Sequence, residues 1–166
     1  VKNKINEDLS PTRNLTGLHL KIVATIAIIW SLFQLWYASP FPFMFNIGMF
    51  KGLPARAIHL GFALTLAFLI YPFSKGKKIS IFDIIISFVA AFSCLYIYFF
   101  YDQLVDRGGV LLNISLSKNF NLPLELIIGI SGILILLEAT RRAIGIPLVI
   151  IAIIFLLFSY FGRYAP

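Results

Sequence analysis

Five long apolar runs follow one another along this chain, and short polar or Pro/Gly-rich stretches separate them. A helix that spans a membrane needs about 20 mostly apolar residues. Runs of that kind cover residues 18–38, 56–73, 79–101, 122–139 and 146–164. Aromatic residues gather near the ends of the runs, as is typical of the two membrane–water interfaces. The pattern predicts an all-α integral membrane protein with a four-helix transmembrane bundle and a fifth connecting transmembrane helix.

The connections between the runs differ in composition. Residues 39–54 are rich in Pro, Phe and Gly and too short to span, so we expect them to lie at the membrane interface or dip into it. Residues 74–78 predict a tight basic turn. Residues 102–121 form the longest polar connection, with a turn at Gly108 and Gly109 and a short interfacial stretch after it. The predicted parts are a polar cytoplasmic N-terminus, a four-helix membrane scaffold, and a basic turn with the connecting helix, at residues 1–17, 18–139 and 140–166.

Composition excludes several classes of protein. The chain has 166 residues, of which 60% are hydrophobic and 13% charged, whereas soluble domains average about 25% charged residues. The net charge is +7, but the Lys and Arg residues are scattered between the apolar runs. They form no basic face of the kind that binds nucleic acid. Cys94 is the single cysteine in the sequence, which argues against thiol–disulfide chemistry because that chemistry needs pairs.

The distribution of Lys and Arg predicts the orientation, because cytoplasmic loops carry an excess of these residues. An N-terminus on the inner side assigns nine cations to that side and five to the outer side. The inner set is Lys2, Lys4, Arg13, Lys21, Lys75, Lys77, Lys78, Arg141 and Arg142, and the outer set is Lys51, Arg56, Arg107, Lys118 and Arg163. We therefore predict a cytoplasmic N-terminus and, if the fifth run spans, a C-terminus outside.

A small charged cluster separates the fourth and fifth runs. Glu138 precedes Arg141 and Arg142 by three and four residues, a spacing that places all three on one helical face and predicts ion pairs. Paired arginines do not enter lipid readily, so they anchor the topology. We interpret these three residues as a topology or docking site, whose partner is lipid phosphate or another protein domain, and not as a catalytic site.

Few other ionisable residues fall inside the runs, and such residues are functional candidates by default. His59 lies one turn into the second run, near Arg56. It fits either a proton relay or ligand contact, or an interfacial histidine bonded to neighbouring backbone, and we favour the second. Asp83 and Glu125 lie where the third and fourth runs begin, where an acidic residue suits the helix dipole.

Small residues recur at helical spacing in four of the runs, as they do where membrane helices approach closely. They predict a packed bundle, although the same rows of small residues would also suit a surface that binds a partner protein. The residues are Ala24, Ala27 and Ser31, then Gly61 and Thr65, then Ser87, Ala90, Ala91 and Cys94, and finally Gly129 and Gly132.

Motifs for chemistry are absent from the sequence. It has no HExxH, no nucleophile with a base, no metal-spaced Cys/His set, no glycine-rich phosphate loop and no paired acids within a run. Nothing suggests a substrate site near the membrane midplane, where transporters commonly keep theirs. We therefore expect a helical scaffold that is not an enzyme and has no cofactor.

Two stretches carry a resemblance to a known family. Residues 56–72 read RAIHLGFALTLAFLIYP, and residues 137–147 read LEATRRAIGIP, with FGRYAP following at 161–166. Both resemble the N-terminal, small-subunit-like region of fused permeases of tripartite ATP-independent periplasmic (TRAP) transporters, of the type served by TAXI solute-binding proteins. Residues 106–109 fit loosely. The likeness covers most of positions 20–166, and the second stretch is the more specific.

The resemblance implies a role and partners. In that family a periplasmic binding protein delivers an organic solute, usually a carboxylate, to a membrane complex in the prokaryotic inner membrane. A large helical domain moves the solute with a sodium gradient, and a small four-helix part braces it as a stator. This chain resembles the small part plus a connecting helix. The implied partners are the large domain, a TAXI-type binding protein and membrane lipid, and sodium coupling is expected in the large domain.

The large domain is not in these residues, so we expect either a fragment of a longer protein or a separate small part, and no transport by this chain alone. Two alternatives belong to other classes. A membrane anchoring or assembly protein without a transport role would have the same apolar pattern. A membrane-embedded enzyme would need several ionisable groups at one depth, and the sequence offers only His59.

Overall fold

Helices dominate the computed structural model of the chain, which describes residues 12–13, 15–73, 80–108, 110, 114–117, 120–122 and 124–162. The predicted basic turn at 74–78, most of the predicted N-terminal part and the end of the last run at 163–164 lie outside the described residues. In chain order the elements are α1 (Gly17–Ala38), α2 (Phe41–Phe45), α3 (Gly52–Ile70), α4 (Ile81–Asp106), β1 (Ile114–Ser117), β2 (Phe120–Leu122), α5 (Leu124–Ala143) and α6 (Ile146–Phe161).

Three of the helices are long and apolar enough to cross a membrane. They are α1, α3 and α4, with 22, 19 and 26 residues and mean hydropathies of 1.7, 1.7 and 2.1. Helix α5 has 20 residues, but its charged residues at both ends lower its apolar character. Helix α6 is apolar but has 16 residues, which gives a length of about 24 Å against a hydrocarbon core of about 30 Å.

Helix α3 lies at the centre of the packing and contacts α1, α4 and α5, with α4 as its most extensive neighbour. One buried cluster joins α3, α4 and α5 through Leu64, Phe68, Ala90, Cys94, Ile135 and Ala139. A second cluster joins α1 to α3 through Val23, Leu66 and Leu69. No residue of α6 is buried, since this helix continues from the end of α5 and packs on little else.

Helices α3 and α4 pack closely at Gly61. A Cβ atom added to Gly61 would lie 3.2 Å from the Cβ of Cys94, so the missing side chain lets the two helices pack tightly. This contact agrees with the prediction from the small residues of these runs. In α5, by contrast, a Cβ on Gly129 or Gly132 would meet no described atom within 4 Å, so these glycines do not mark a close approach within the described part of the chain.

The helix boundaries differ from the predicted runs in ways that matter for the polar residues. Helix α4 continues to Asp106, five residues past the predicted end of its run. Helix α5 continues to Ala143, so Arg141 and Arg142 lie in its last turn and not in the connection. The connection to α6 is the pair Ile144 and Gly145, and Gly145 has a φ of 115°, a backbone conformation that favours glycine.

Two connections contain short elements of their own. Between α1 and α3, Pro40 precedes the one-turn helix α2, and Asn46 follows it in a left-handed conformation with a φ of 53°. Between α4 and α5, β1 and β2 pair antiparallel, with Ile114 opposite Leu122. This hairpin was not predicted from the sequence, because its strands are short and their alternation is weak.

Candidate functional site

A buried carboxylate organises one end of the helix packing. Asp83 lies in the first turn of α4, which begins after Ser80, whose hydroxyl accepts a hydrogen bond from Phe82 N at 3.2 Å. The Asp83 side chain is 1% exposed. Its Oδ2 accepts a hydrogen bond from Arg13 Nη2 and its Oδ1 accepts one from Arg142 Nη1, both at 2.7 Å. One acid therefore joins two arginines that are far apart in the sequence.

The two arginines also hold the C-terminal end of α3. Arg13 donates from its backbone N to the Ile70 carbonyl at 2.9 Å and from Nη1 to the Leu69 carbonyl at 3.1 Å. Arg142 donates from Nη1 to the Tyr71 carbonyl at 3.3 Å. The last carbonyls of a helix have no partner within the helix and carry partial negative charge. Cationic donors at this position therefore satisfy groups that would otherwise be buried without partners.

Glu138 extends the group through the last turns of α5. Its carboxylate accepts two hydrogen bonds from Arg141, at 2.8 and 2.9 Å, and one from Arg142 Nε at 2.7 Å. The predicted ion pairs of Glu138 with both arginines are confirmed. The Arg142 guanidinium also lies over the rings of Phe68 and Phe73, at 4.9 and 5.2 Å from their centroids, where cation–π attraction favours the charge.

We call Arg13, Asp83, Glu138, Arg141 and Arg142 the ionic cluster. Three cations and two anions leave it with one excess positive charge, and the side chains of Arg13, Asp83 and Arg142 are each 1% exposed. Two of its N–H groups, Arg13 Nε and Arg142 Nη2, are buried with no hydrogen-bond partner. An arginine does not deprotonate in proteins and cannot act as a base. The cluster is suited to holding four chain segments together.

Three of the five residues of this cluster were predicted from the sequence. Glu138, Arg141 and Arg142 were recognised because their pairing is local. Asp83 was interpreted as an acid that suits a helix dipole, and Arg13 was counted only as a topology charge. The two missed residues are separated by 70 positions, so no local spacing in the sequence could reveal their contact.

A second polar group lies at the opposite end, where α4 ends and α5 begins. Arg107 Nη2 donates to Glu125 Oε1 at 2.6 Å, and the Tyr96 hydroxyl donates to the same oxygen at 3.1 Å. Glu125 is thus more than a helix-dipole acid, because it ties α4 to α5. Nearby, Lys51 forms an exposed ion pair with Asp102, and this hydrogen bond raises the pKa of Lys51.

His59 joins α3 to α1 through its side chain. Trp30 Nε1 donates to His59 Nδ1 at 3.0 Å, and Gln34 Nε2 lies 3.3 Å from the same nitrogen. The Phe33 ring meets the imidazole edge-on at 5.0 Å between centroids. The favoured interpretation of a histidine bonded to neighbouring backbone is therefore wrong, because the hydrogen bonds come from side chains of another helix. Arg56, one turn earlier, is exposed.

Metal ligands do not converge in the described part of the chain. Within those residues, no group of three or more His, Cys, Asp or Glu side chains lies where it could hold a metal ion. Cys94 is buried between α3 and α4.

No family profile, curated protein or solved structure matches this chain. The likeness to TRAP permeases thus rests on the two stretches identified in the sequence. In the structure, residues 56–72 form most of α3 and its end, and residues 137–147 form the end of α5 and the start of α6. The Arg142 to Tyr71 hydrogen bond joins the two stretches directly.

Proposed function

We propose that this chain is the scaffold, or stator, region of a TRAP-type secondary transporter that imports organic solutes, with carboxylates as the expected class. The observation that carries the proposal is that the two stretches resembling this family meet at the ionic cluster. Arg142 belongs to the second stretch and binds the Tyr71 carbonyl of the first. Because the two stretches that resemble the family meet in one buried site, we expect them to serve a common structural role.

The physical character of the cluster suits a stator. A part that braces a moving domain has to keep its own helix ends fixed. Asp83 and Arg142 connect the start of α4, the end of α3 and the end of α5 through charge-assisted hydrogen bonds, which are stronger than neutral ones. Moving any one of these helix ends would separate buried charges, and such separation is costly.

The apolar exterior suits lipid and a large membrane partner. Helix α6 has no buried residue, and only 6% of the most apolar stretch of α1 is buried. A water-soluble protein rarely exposes contiguous apolar surface of this extent. We propose that membrane lipid and the large transport domain cover these surfaces, with sodium coupling in the large domain and a TAXI-type protein delivering the solute.

The finer architecture belongs to the same proposal. Helices α1, α3, α4 and α5 would form a four-helix transmembrane bundle in the prokaryotic inner membrane, and α6 would be the connecting helix. With the N-terminus cytoplasmic, the ionic cluster lies at the inner surface. The excess of Lys and Arg assigned to that side supports this orientation.

The decisive experiment measures uptake of labelled organic acids into proteoliposomes. The chain is tested alone, then with the large domain encoded with it or after it and a TAXI-type binding protein, with and without a sodium gradient. We expect uptake only in the complete, sodium-energised system. Uptake by the chain alone would overturn the stator role. If the coding region and its neighbours hold no large helical domain, an anchoring or assembly protein becomes the better explanation.

A variant tests the docking part of the proposal. Reversing Arg141 and Arg142 to Glu places four acids with one remaining arginine in the ionic cluster, so assembly with the large domain or the topology should fail while substrate preference stays unchanged. Lys51→Glu, which reverses an exposed charge at the opposite end, is the matched control. A double variant that assembles and transports like the control would contradict the docking role.

A further inference from the structure

A cleft with a volume of about 350 Å³ lies between α4 and α5, and α3 contributes Leu60 and Leu64 to its lining. On the α5 side the lining includes Gly129 and Gly132, where an added Cβ would meet no described atom within 4 Å. Midway along α4, Ser93 also lines the cleft, but its hydroxyl donates to a carbonyl of its own helix. The cleft is therefore apolar along most of its length, with open space where α5 has no side chains.

The length of the cleft matches one leaflet of a membrane. Along α5 its lining begins at Glu125 and ends at Leu136, eleven positions later. At 1.5 Å per residue this distance is about 16 Å. The hydrocarbon core of a bilayer is about 30 Å thick, which leaves about 15 Å for each leaflet. In a bilayer the cleft would run from one interface, where Glu125 lies, to the middle of the membrane.

The volume of the cleft decides which kind of apolar group it can hold. Two turns of a helix about 10 Å in diameter and 11 Å long occupy about 850 Å³, which is more than twice the volume of the cleft. A helix of a partner protein therefore does not fit. Small-molecule sites begin at about 300 Å³, and a single hydrocarbon chain has the elongated shape that this space requires.

The end of the cleft at Glu125 carries hydrogen-bonding groups. The Glu125 side chain is 3% exposed, and the Arg107 side chain that binds it is 25% exposed. Arg107 Nη1 is buried and has no hydrogen-bond partner among the described residues. Because a guanidinium is planar, Nη1 lies beside the Nη2 group that binds Glu125. A phosphate oxygen at the cleft entrance would satisfy this donor, and arginine binds phosphate strongly.

The charges at this end determine the type of headgroup. Among the described residues, the basic side chains here equal the acidic ones in number. They are Lys51, Arg56 and Arg107 against Asp102, Asp106 and Glu125. A balanced set attracts no net anion, but it offers a cation to a phosphate and carboxylates to an amine. Such a set is complementary to a headgroup that carries both charges.

We propose that this cleft binds one acyl chain of a zwitterionic glycerophospholipid, whose phosphate lies at Arg107. Phosphatidylethanolamine has the required chemistry, with a phosphate, an ammonium group and chains that reach the middle of the membrane. The lipid would fill the space at Gly129 and Gly132, which no described side chain occupies. The site depends on the packing of α4 and α5 on α3 and not on the proposed transport role.

Photo-crosslinking locates the lipid. The full chain is reconstituted in liposomes that contain phosphatidylethanolamine with a diazirine in the middle of one acyl chain, and mass spectrometry maps the crosslinks. We expect strong labelling around Ser93 and Gly132. The Gly132→Leu variant should lose this labelling and keep the general labelling of α6. Gly52→Leu is the matched control, because its side chain also enters open space but lies outside the cleft.

Labelling of α6 without labelling of the cleft would overturn the proposal, and so would the same pattern in both leucine variants. If Gly132→Leu does not fold by circular dichroism, Gly129→Leu takes its place, because it fills the same cleft.

Native mass spectrometry of the chain in detergent measures affinity and the choice of headgroup. We expect Gly132→Leu to weaken binding of phosphatidylethanolamine about tenfold or more, because its side chain displaces several atoms of the acyl chain. Arg107→Lys keeps a cation for the phosphate and should bind more tightly than Arg107→Gln. Phosphatidylglycerol, which has a net negative charge, should bind no better than phosphatidylethanolamine. A clear preference for phosphatidylglycerol, or equal affinities in the two Arg107 variants, would contradict the proposed headgroup contacts.

Discussion

Replacing Asp83 by Asn removes the negative charge that two buried arginines share. The substitution keeps the shape of the side chain and leaves one oxygen that can accept from one guanidinium. Its amide group, however, faces the second arginine as a donor, so Arg13 or Arg142 loses its partner. Both arginine side chains are 1% exposed, and neither can move its charge to water without breaking its bond to the end of α3.

The size of the effect follows from this geometry. Removing one partner of a buried ion pair costs about 3–5 kcal/mol, because the other charge stays buried without compensation. Here one acid serves two arginines through two bonds of 2.7 Å, so the loss should lie in that range and not below it. A loss of this size corresponds to about two to nearly four orders of magnitude in the unfolding equilibrium.

The assay is equilibrium unfolding of the purified chain in mixed micelles, followed by far-ultraviolet circular dichroism as denaturing detergent increases. Asp102→Asn is the matched control, because it makes the same chemical change at an ion pair whose side chains are 63% and 70% exposed. Exposed pairs often contribute nothing measurable and are screened by salt. We expect the Asp83 variant to unfold far earlier than the control at every ionic strength.

An Asp83→Asn chain as stable as the Asp102→Asn chain would refute the reasoning. It would mean that the ionic cluster does not hold the helix ends together. Arg13→Gln provides an internal check. It should cost less than Asp83→Asn, because Arg142 still compensates the carboxylate when Arg13 is removed, and the reverse order would contradict a shared acid.

The remaining predictions use the same unfolding assay. Gly61→Leu should lower the free energy of unfolding by about 1–3 kcal/mol, because its Cβ would lie 3.2 Å from that of Cys94. Gly132→Leu is the control, because its side chain meets open space and should have little effect. Equal losses in the two variants would contradict the close packing of α3 on α4. Arg142→Gln should destabilise the folded chain by about 3 kcal/mol or more, and Arg141→Gln should destabilise it far less. The reason is that the Arg142 side chain is 1% exposed and the Arg141 side chain is 41% exposed. The opposite order would be incompatible with a buried Arg142.

The positions of the long helices were predictable because they depend on local composition. A backbone segment removed from water has to satisfy its own hydrogen bonds, and an apolar run of about 20 residues does so as a helix. The predicted and observed starts of α1 and α6 agree within one residue. The end of α4 was predicted too early, because Asp102, Gln103 and Asp106 are polar, yet the helix continues through them.

The candidate site was predictable only where its contacts are local. Glu138 with Arg141 and Arg142 follows from spacing along one helix. The bond between Trp30 and His59 does not, since it depends on which faces of α1 and α3 meet. The apolar pattern is nearly uniform around these helices and leaves their rotation undetermined.

The sequence by itself determined that the chain forms apolar helices, about where each begins and ends, and that Glu138 pairs with its arginine neighbours. These properties follow from backbone hydrogen bonding and from the periodicity of one helix. Only the tertiary structure decided that Arg13 and Arg142 share Asp83 and that both hold the end of α3. Those contacts cross 56 to 71 residues of chain, and they exist because packing at Gly61 and the buried clusters sets the order and rotation of the helices.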